Sequence, residues 1–236
     1  MYDFYLVKKT KISSLSEVIL ENIVSASILS ADFCNLGRDV RNAGNAGCEY
    51  IHFDIMDGVF VPNISYGFPV LKAVSAITDK LMDVHLMITE PLRYIDVISS
   101  CGADIITIHE EAGSDVSETI RKIHSCGKKA GVAVKPNTPA DVLEPYLGET
   151  DMFLIMTVEP GFGCQGFIPE TAGKISQLKK MLEKYGRNVP IEVDGGINGD
   201  TAETVKKAGA EILVAGSYLF GAEDMRRAAE ILKKPV

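Results

Sequence analysis

Short apolar runs alternate with amphipathic segments along most of the chain. The apolar runs are rich in Val and Ile and are bounded by Gly, Pro or Asp, which is typical of strands buried in a parallel sheet. They predict strands at residues 23–29, 49–55, 81–87, 103–109, 129–135, 151–157, 190–194 and 211–216.

Helical patterns lie between these runs, at residues 35–47, 116–127, 169–186 and 200–210. We expect the third of them to begin at Pro169, because proline is favoured at the first helical position. Several patterns end at a glycine suited to a helix C-terminus. These glycines are Gly47, Gly102, Gly127, Gly186 and Gly209.

The repeat of strand and helix predicts an α/β protein of a single domain, a closed (β/α)8 TIM barrel over residues 23–236. A doubly wound open sheet is the alternative that periodicity leaves open. Residues 1–22 precede the first strand as an N-terminal extension, in which Ser14 and Glu17 have the spacing of a capping box and predict a short helix.

Composition restricts the partners. The 236 residues are 46% hydrophobic, enough for a sizeable core, and the net charge of −8 argues against nucleic acid or an anionic membrane as the main partner. No apolar run approaches the ~20 residues of a membrane span. Lys8, Lys9 and Lys11 interrupt the N-terminal segment, which therefore does not resemble a signal peptide. With five widely spaced cysteines and no C-x-x-C pair, we expect a cytoplasmic protein with reduced thiols.

Four polar residues stand where a barrel carries its chemistry, at the carboxyl ends of strands. His52 and Asp54 are two apart on the second strand and so point to one face, His85 is on the third strand, and Asp194 ends the seventh. Nitrogen and carboxylate ligands together suit Zn²⁺, Fe²⁺, Mn²⁺ or Co²⁺. The sequence therefore predicts one divalent metal ion per subunit.

Other residues near the strand ends receive simpler interpretations. We expect His109 to support the site or the structure, His124 to lie on the surface, and Asp57 to bond to nearby backbone in a turn. Three methionines are either core filler or an apolar collar around the mouth. They are Met56, Met87 and Met156.

The stretch "GFGCQG" (residues 161–166) contains the dinucleotide-binding pattern G-x-G-x-x-G. That interpretation is rejected, because no helix opens within the pattern and the next acid at a strand end, Asp194, is too far along the chain. Together with the glycines after the seventh and eighth strands, the loop instead predicts a phosphate site built from backbone N–H groups.

Seven motifs in order resemble those of the ribulose-phosphate 3-epimerase family, from about Val24 to the C-terminus. They are "SASILSADFCNLG", "IHFDIMDGVFVPNISYGFPVL", "DVHLMITEP", "VKPNTP", "MTVEPGFGCQGFIP", "IEVDGGIN" and "VAGSYLF". The resemblance implies a metal-dependent barrel of the ribulose-phosphate-binding type. It also implies interconversion of D-ribulose 5-phosphate and D-xylulose 5-phosphate, in the pentose phosphate pathway, through an enediolate.

The resemblance also implies residue roles. His52, Asp54, His85 and Asp194 are expected to be metal ligands, and Asp54 and Asp194 also the catalytic acid/base pair. The substrate is expected to contact Ser27, His85, Gly161, Phe162, Gly163, Cys164, Gly195, Gly196, Gly216 and Ser217. The chain departs from the family pattern where Ala26 replaces a usual proline and Cys164 a frequent glycine. The Cβ of Cys164 is expected to crowd the phosphate loop.

Alternatives remain at this point. The same chemistry on a six-carbon ketose would make the chain an allulose-6-phosphate 3-epimerase, and a sugar-phosphate-binding barrel without catalysis is a third possibility. A hexulose-phosphate synthase is disfavoured, because "DIMDG" lacks the lysine of that group's D-x-K-x-x-D array. Homo-oligomers are usual in the family, so we expect one.

Overall fold

The computed structural model describes residues 22–236. Within them, eight parallel strands close into a barrel in sequence order, with β1 paired to both β2 and β8. The strands are β1 (Ile23–Ser27), β2 (Tyr50–Met56), β3 (Leu81–Met87), β4 (Ile105–His109), β5 (Lys129–Val134), β6 (Met152–Met156), β7 (Ile191–Asp194) and β8 (Ile212–Ala215). The TIM-barrel prediction is confirmed, and the open sheet is excluded by the closure of β1 onto β8.

Helices surround the barrel. They are α1 (Leu36–Asn45), α2 (Phe68–Ser75), α3 (Ile95–Ser100), α4 (Val116–Ser125), α5 (Thr171–Lys184), α6 (Gly199–Ala208), α7 (Ser217–Phe220) and α8 (Met225–Lys233). Side chains cap several of their N-termini: Asp115 accepts from the Glu118 N–H, and Asn198 forms a capping box with Thr201. The predicted C-terminal glycines are confirmed, since all have positive φ.

Two connections differ from the simple alternation. Between β5 and β6 the chain forms a 3-10 helix, Ala140–Tyr146, which contains Pro145 and so cannot build a regular α-helix there. The prediction that α5 begins at Pro169 is wrong. The chain makes a turn first, in which the Thr171 N–H donates to the Ile168 carbonyl, and α5 begins at Thr171.

The barrel interior changes character from bottom to top. Tyr50, Ile105, Met152 and Ile212, from alternate strands, form an apolar layer at the amino-terminal end. The main hydrophobic core lies between the strands and the helices. Above this apolar layer, three of the odd strands, β1, β3 and β7, place fully buried polar residues in the interior. They include Ser25, Asp83 and Glu192. The interior beneath the mouth is therefore polar on the side of β1, β3 and β7, whereas Ala133, Leu154 and Met156 keep the side of β5 and β6 apolar.

The predicted N-terminal extension, apart from Asn22, and the helix predicted near Ser14 lie outside the described residues. Among residues 22–236, no helix is both long and apolar enough to cross a membrane.

Candidate metal centre and substrate cavity

Four side chains from three strands meet at the carboxyl-terminal mouth of the barrel. His52 and Asp54 come from β2, His85 from β3 and Asp194 from the end of β7. One ligand atom of each lies within 4.8 Å of those of the others. The fold thus assembles the constellation that the sequence suggested.

The strand register explains why these residues meet. Side chains two apart on a strand share a face, so His52 and Asp54 both point into the barrel. The parallel pairing of β2 with β3 sets Asp54 beside His85. Around the ring, β8 and β1 separate β7 from β2, so Asp194 reaches the group from across the barrel.

Two histidine nitrogens converge on two carboxylate oxygens. His52 Nε2 lies 3.2 Å from Asp54 Oδ1 and 3.8 Å from Asp194 Oδ2. His85 Nδ1 lies 3.3 Å and 3.9 Å from the same two oxygens. His52 Nε2 is buried and, among the described residues, has no hydrogen-bond partner. Because the donor atoms are of the right types and converge on one point, the residues present fit a divalent metal ion.

Each histidine contacts an orienting group through its other ring nitrogen. His52 Nδ1 lies 2.6 Å from Asp83 Oδ2, which also accepts from the Ser25 hydroxyl at 3.0 Å. His85 Nε2 lies 2.9 Å from His109 Nε2. Such contacts behind a metal-binding histidine fix its ring and its tautomer. The expectation that His109 has a supporting role agrees with this position.

The two carboxyl groups at the centre differ in proton affinity. Burial raises the pKa of Asp194 to about 6. Burial alone would also raise the pKa of Asp54, but His52 and His85 outweigh it and lower that pKa. Burial likewise acts to lower the pKa of His52, yet Asp54 and Asp83 hold it well above its ordinary value. The surroundings thus favour the ionised form of Asp54 and, compared with an ordinary carboxyl group, the protonated form of Asp194.

The sequence interpretation missed a row of residues beneath the site. Ser25, Asp83 and Glu192 each lie two positions before a site residue of the same strand, and all are fully buried. Burial and the neighbouring Asp83 raise the pKa of Glu192 well above its ordinary value. The period of two along each strand carried the signal, because residues at i and i−2 share a face.

Asp57 and His124, which were not predicted to belong to the site, lie where the sequence predicted them. Asp57 Oδ1 accepts from the Val59 and Phe60 N–H groups at 2.8 Å each, which confirms the turn interpretation. Its Oδ2 also accepts from the Thr89 N–H at 2.7 Å, so it ties the loop after β2 to the end of β3. His124 lies on the surface of α4 as expected, beside Asp151.

A cavity opens above the four-residue constellation, and its wall contains all the remaining predicted substrate contacts. They are Ser27, Gly161, Phe162, Gly163, Cys164, Gly195, Gly196, Gly216 and Ser217. Asp54 and Asp194 line the floor, whereas His85 is fully buried behind them. Ser27 donates to Asp54 Oδ2 at 2.8 Å. The three methionines line the same cavity and are themselves nearly buried, so they are both core and collar.

The glycine-rich loop runs along one side of this cavity. Helix α5 begins five residues after Gly166, which agrees with the rejection of a dinucleotide fingerprint. Gly161, Gly195 and Gly196 have positive φ, and Cys164 is the non-glycine residue with positive φ among the described residues, at 59°. The backbone of the loop is therefore under strain at Cys164.

The amino-acid sequence matches the model of the ribulose-phosphate 3 epimerase family over residues 23–220. It is 47% identical over 206 residues to ribulose-phosphate 3-epimerase of Bacillus subtilis (strain 168), covering 87% of this chain and 95% of that protein. It is also 47% identical over 213 residues to the chloroplastic ribulose-5-phosphate-3-epimerase of Arabidopsis thaliana, covering 89% and 76%.

A solved structure shares the fold at lower similarity. The 3-hexulose-6-phosphate synthase from Salmonella typhimurium has a TM-score of 0.66 at 19% identity, with coverage of 89% of this chain and 96% of that chain. A likeness at this identity extends to the barrel architecture alone.

Proposed function

Because the chain belongs to the ribulose-phosphate 3-epimerase family, we propose that it inverts carbon 3 of D-ribulose 5-phosphate, giving D-xylulose 5-phosphate, in a metal-dependent reaction. The protein is an epimerase, an isomerase acting on carbohydrates. The metal requirement, the residue roles and the preferred substrate are the parts that we propose.

One observation carries the proposal: His52 Nε2 and His85 Nδ1 both face the carboxylates of Asp54 and Asp194 in a buried group. Four acceptors brought this close would repel one another without a cation or protons between them. We assign these four residues as ligands of one divalent ion. When bound, such an ion supplies positive charge beside the ketose oxygens, where negative charge develops as the carbon 3 proton leaves.

Inversion at carbon 3 requires proton transfer on both faces of the substrate. One base cannot easily serve both faces, so one ionised and one protonated carboxyl group are needed on opposite sides. Asp54 on β2 and Asp194 on β7 reach the cavity floor from strands far apart in the ring. In our proposal one removes the carbon 3 proton, an enediolate forms, and the other returns a proton to the opposite face.

The hydrogen bond from Ser27 to Asp54 Oδ2 holds that carboxylate in place beneath the substrate. It leaves Asp54 Oδ1 directed towards the two histidine nitrogens. We propose that Ser27 both orients Asp54 and contacts the sugar. The methionine side chains Met56, Met87 and Met156 limit water around the reacting carbon.

The phosphate end of the substrate is assigned to the backbone side of the cavity. Gly161, Phe162, Gly163 and Cys164, with Gly195, Gly196, Gly216 and Ser217, form three adjacent loops after β6, β7 and β8. Backbone N–H groups at such loops bind phosphate without adding a cationic side chain, which suits an acidic protein.

The nearest alternative is allulose 6-phosphate as substrate, with the same ligands and the same acid/base pair. It differs by one carbon between the reacting centre and the phosphate. The decisive experiment compares the turnover of D-ribulose 5-phosphate and D-allulose 6-phosphate by the purified protein supplied with Zn²⁺, Fe²⁺, Mn²⁺ or Co²⁺. We expect preference for the five-carbon substrate. Preference for allulose 6-phosphate would overturn the substrate, and no turnover of either would overturn the proposal in favour of a binding protein.

A homo-oligomer and a cytoplasmic location stay predictions. Size-exclusion chromatography with light scattering measures the mass in solution, which a homo-oligomer raises to a multiple of 25.6 kDa.

A further inference from the structure

A chain of hydrogen bonds leads from His85 away from the cavity, and the proposed mechanism does not use it. His85 Nε2 lies 2.9 Å from His109 Nε2, and His109 Nδ1 lies 3.0 Å from Glu111 Oε2. The two imidazole rings lie nearly end to end, with centroids 5.0 Å apart and planes inclined by 26°, and both are fully buried. His109 and Glu111 are outside the four-residue constellation and do not line the cavity.

At the outer end of this chain, the contacts of Glu111 fix which atoms donate hydrogen bonds and which accept them. Glu111 Oε1 accepts from the Lys135 backbone N–H at 2.7 Å and from the Thr138 hydroxyl. A backbone N–H can only donate, so the atom at this position has to be an acceptor. Glu111 is therefore anchored through Oε1, and its other oxygen, Oε2, faces the His109 ring. Burial acts to raise the pKa of Glu111, but the bonds from His109, Thr138 and Lys135 outweigh it and lower that pKa to about 2, so the group is a carboxylate.

The order of donors and acceptors continues from Glu111 through His109 to His85. His109 Nδ1 faces a carboxylate oxygen and therefore carries the ring's N–H. Burial disfavours a second proton, so His109 Nε2 is an acceptor, and the N–H between the two rings belongs to His85 Nε2. His85 Nδ1 also faces a carboxylate oxygen, Asp54 Oδ1, but at 3.3 Å, a longer contact than the 2.9 Å between the two rings. The shorter contact therefore takes the single N–H of the neutral His85 ring, and the lone pair is left on Nδ1, which faces Asp54 and, at 3.9 Å, Asp194.

We propose that Glu111 and His109 are positioning residues that select the tautomer of His85 with a free Nδ1 lone pair, and thereby prepare it as a metal ligand. The inference rests on the proposed function, because it assumes that His85 binds the ion. His52 is oriented by a different group: Asp83 contacts its Nδ1 directly, and the other ring nitrogen, Nε2, faces the site. The two histidines thus present different nitrogens, each set by its own acceptor behind the ring.

The substitution Glu111→Gln should reverse the order of donors and acceptors along the hydrogen-bond chain, while the size and shape of the side chain are kept. The glutamine oxygen has to remain towards the Lys135 N–H, so the amide NH₂ faces His109 Nδ1 and turns that atom into an acceptor. The His109 proton then moves to Nε2, and the His85 proton moves to Nδ1, where it competes with the metal. We expect the affinity for Zn²⁺ and Co²⁺ to fall by about 10–100-fold, measured by competition with a chromophoric chelator.

The tautomers themselves provide a readout that a merely structural role would not move. In metal-free protein labelled with ¹⁵N-histidine at pH 8, long-range ¹H–¹⁵N correlation identifies which ring nitrogen carries the proton. We expect His109 Nδ1–H and His85 Nε2–H in the wild type, and the reverse in Glu111→Gln. The wild-type spectrum alone tests the inference, so it stays falsifiable if the variant does not fold. A wild type with His85 Nδ1–H would overturn it.

Glu110→Gln is the matched control. It removes the same charge from the adjacent position, but among the described residues the hydrogen bonds of the two rings run to Asp54, to each other and to Glu111, and none involves the Glu110 side chain. It should keep the wild-type affinity and tautomers. Wild-type affinity in Glu111→Gln would overturn the inference. A wild type that binds no metal would instead overturn the proposed function, and the tautomer spectra would still decide whether the chain has the direction inferred here.

Discussion

The two sides of the cavity are built in different ways. On the side of β2 and β3, side chains on rigid strands point inward, and His52, Asp54 and His85 are essentially fully buried. On the side of the loops after β6, β7 and β8, the wall is mostly backbone, with glycines at positive φ. On the first side, the ability to bind a metal ion and transfer protons depends on the protonation of side chains. On the second side, the ability to bind phosphate depends on backbone conformations that favour glycine. Substitutions should therefore damage different steps on the two sides.

The largest effect is expected for Asp194→Asn. Removing one of the two carboxyl groups that we propose as the acid/base pair should lower kcat by roughly 10²–10⁴-fold at saturating metal, with the fold intact. Solvent deuterium should still exchange at carbon 3 of the one epimer whose proton faces Asp54, because that base remains. Asp200→Asn, at an exposed acid in the first turn of α6, is the control. Near-wild-type kcat in Asp194→Asn would contradict the assignment.

Gly196→Ala tests the backbone side. Gly196 has a φ of 66°, and a Cβ there would lie 2.4 Å from the Phe167 backbone nitrogen. We expect a loss of about 2–4 kcal/mol in the free energy of unfolding and a higher KM for the sugar phosphate, with metal affinity unchanged. Gly166→Ala is the control in the same region, since nothing lies within 4 Å of its Cβ. A fall in metal affinity without a change in KM would break the distinction between the two sides.

Asp57→Ala tests the side-chain network at the edge of the first side. Its carboxylate accepts three backbone N–H groups, so its loss should cost about 1–2 kcal/mol at pH 7, measured by urea unfolding. Burial acts to raise the pKa of Asp57, but the bonds to Phe60, Thr89 and Val59 prevail and lower it. Because the pKa of Asp57 is lower in the folded protein than the value of ~3.9 in the unfolded chain, its ionised carboxylate stabilises the fold at pH values above ~3.9. This stabilisation is lost as the pH falls below that value. The difference from wild type should therefore shrink below about pH 4. Asp79→Ala, at a side chain that is 91% exposed, should show neither effect.

The smallest effect is expected for Cys164→Gly. The left-handed conformation costs a non-glycine residue about 1–2 kcal/mol, and the greater freedom of glycine in the unfolded chain returns about 0.4–1 kcal/mol of that. Because Cys164 is exposed, no core contact is lost. We expect a net stabilisation of about 0.5 kcal/mol by thermal unfolding, with KM unchanged or lower. A destabilised variant would mean that the thiol makes a contact that the strain argument neglects.

The sequence predicts some parts of the side-chain half of the site and not others. The residues at the mouth were found because His and Asp are conspicuous at the ends of apolar strands. The buried row of Ser25, Asp83 and Glu192 was missed, although it obeys the same period of two, because these residues sit inside runs that looked purely structural. The order of donors and acceptors that we infer from Glu111 could not be predicted from the sequence, because its partners, the Lys135 N–H and the Thr138 hydroxyl, follow the next strand, β5.

The measurement that tests the central claim most directly is turnover of D-ribulose 5-phosphate before chelation, after it, and after restoring one divalent metal, with the bound metal counted per subunit. The account predicts loss of turnover on chelation and recovery in proportion to metal bound, up to one ion per subunit. Full turnover in protein shown to contain no metal would contradict the assignment of His52, Asp54, His85 and Asp194 as the ligands on which catalysis depends.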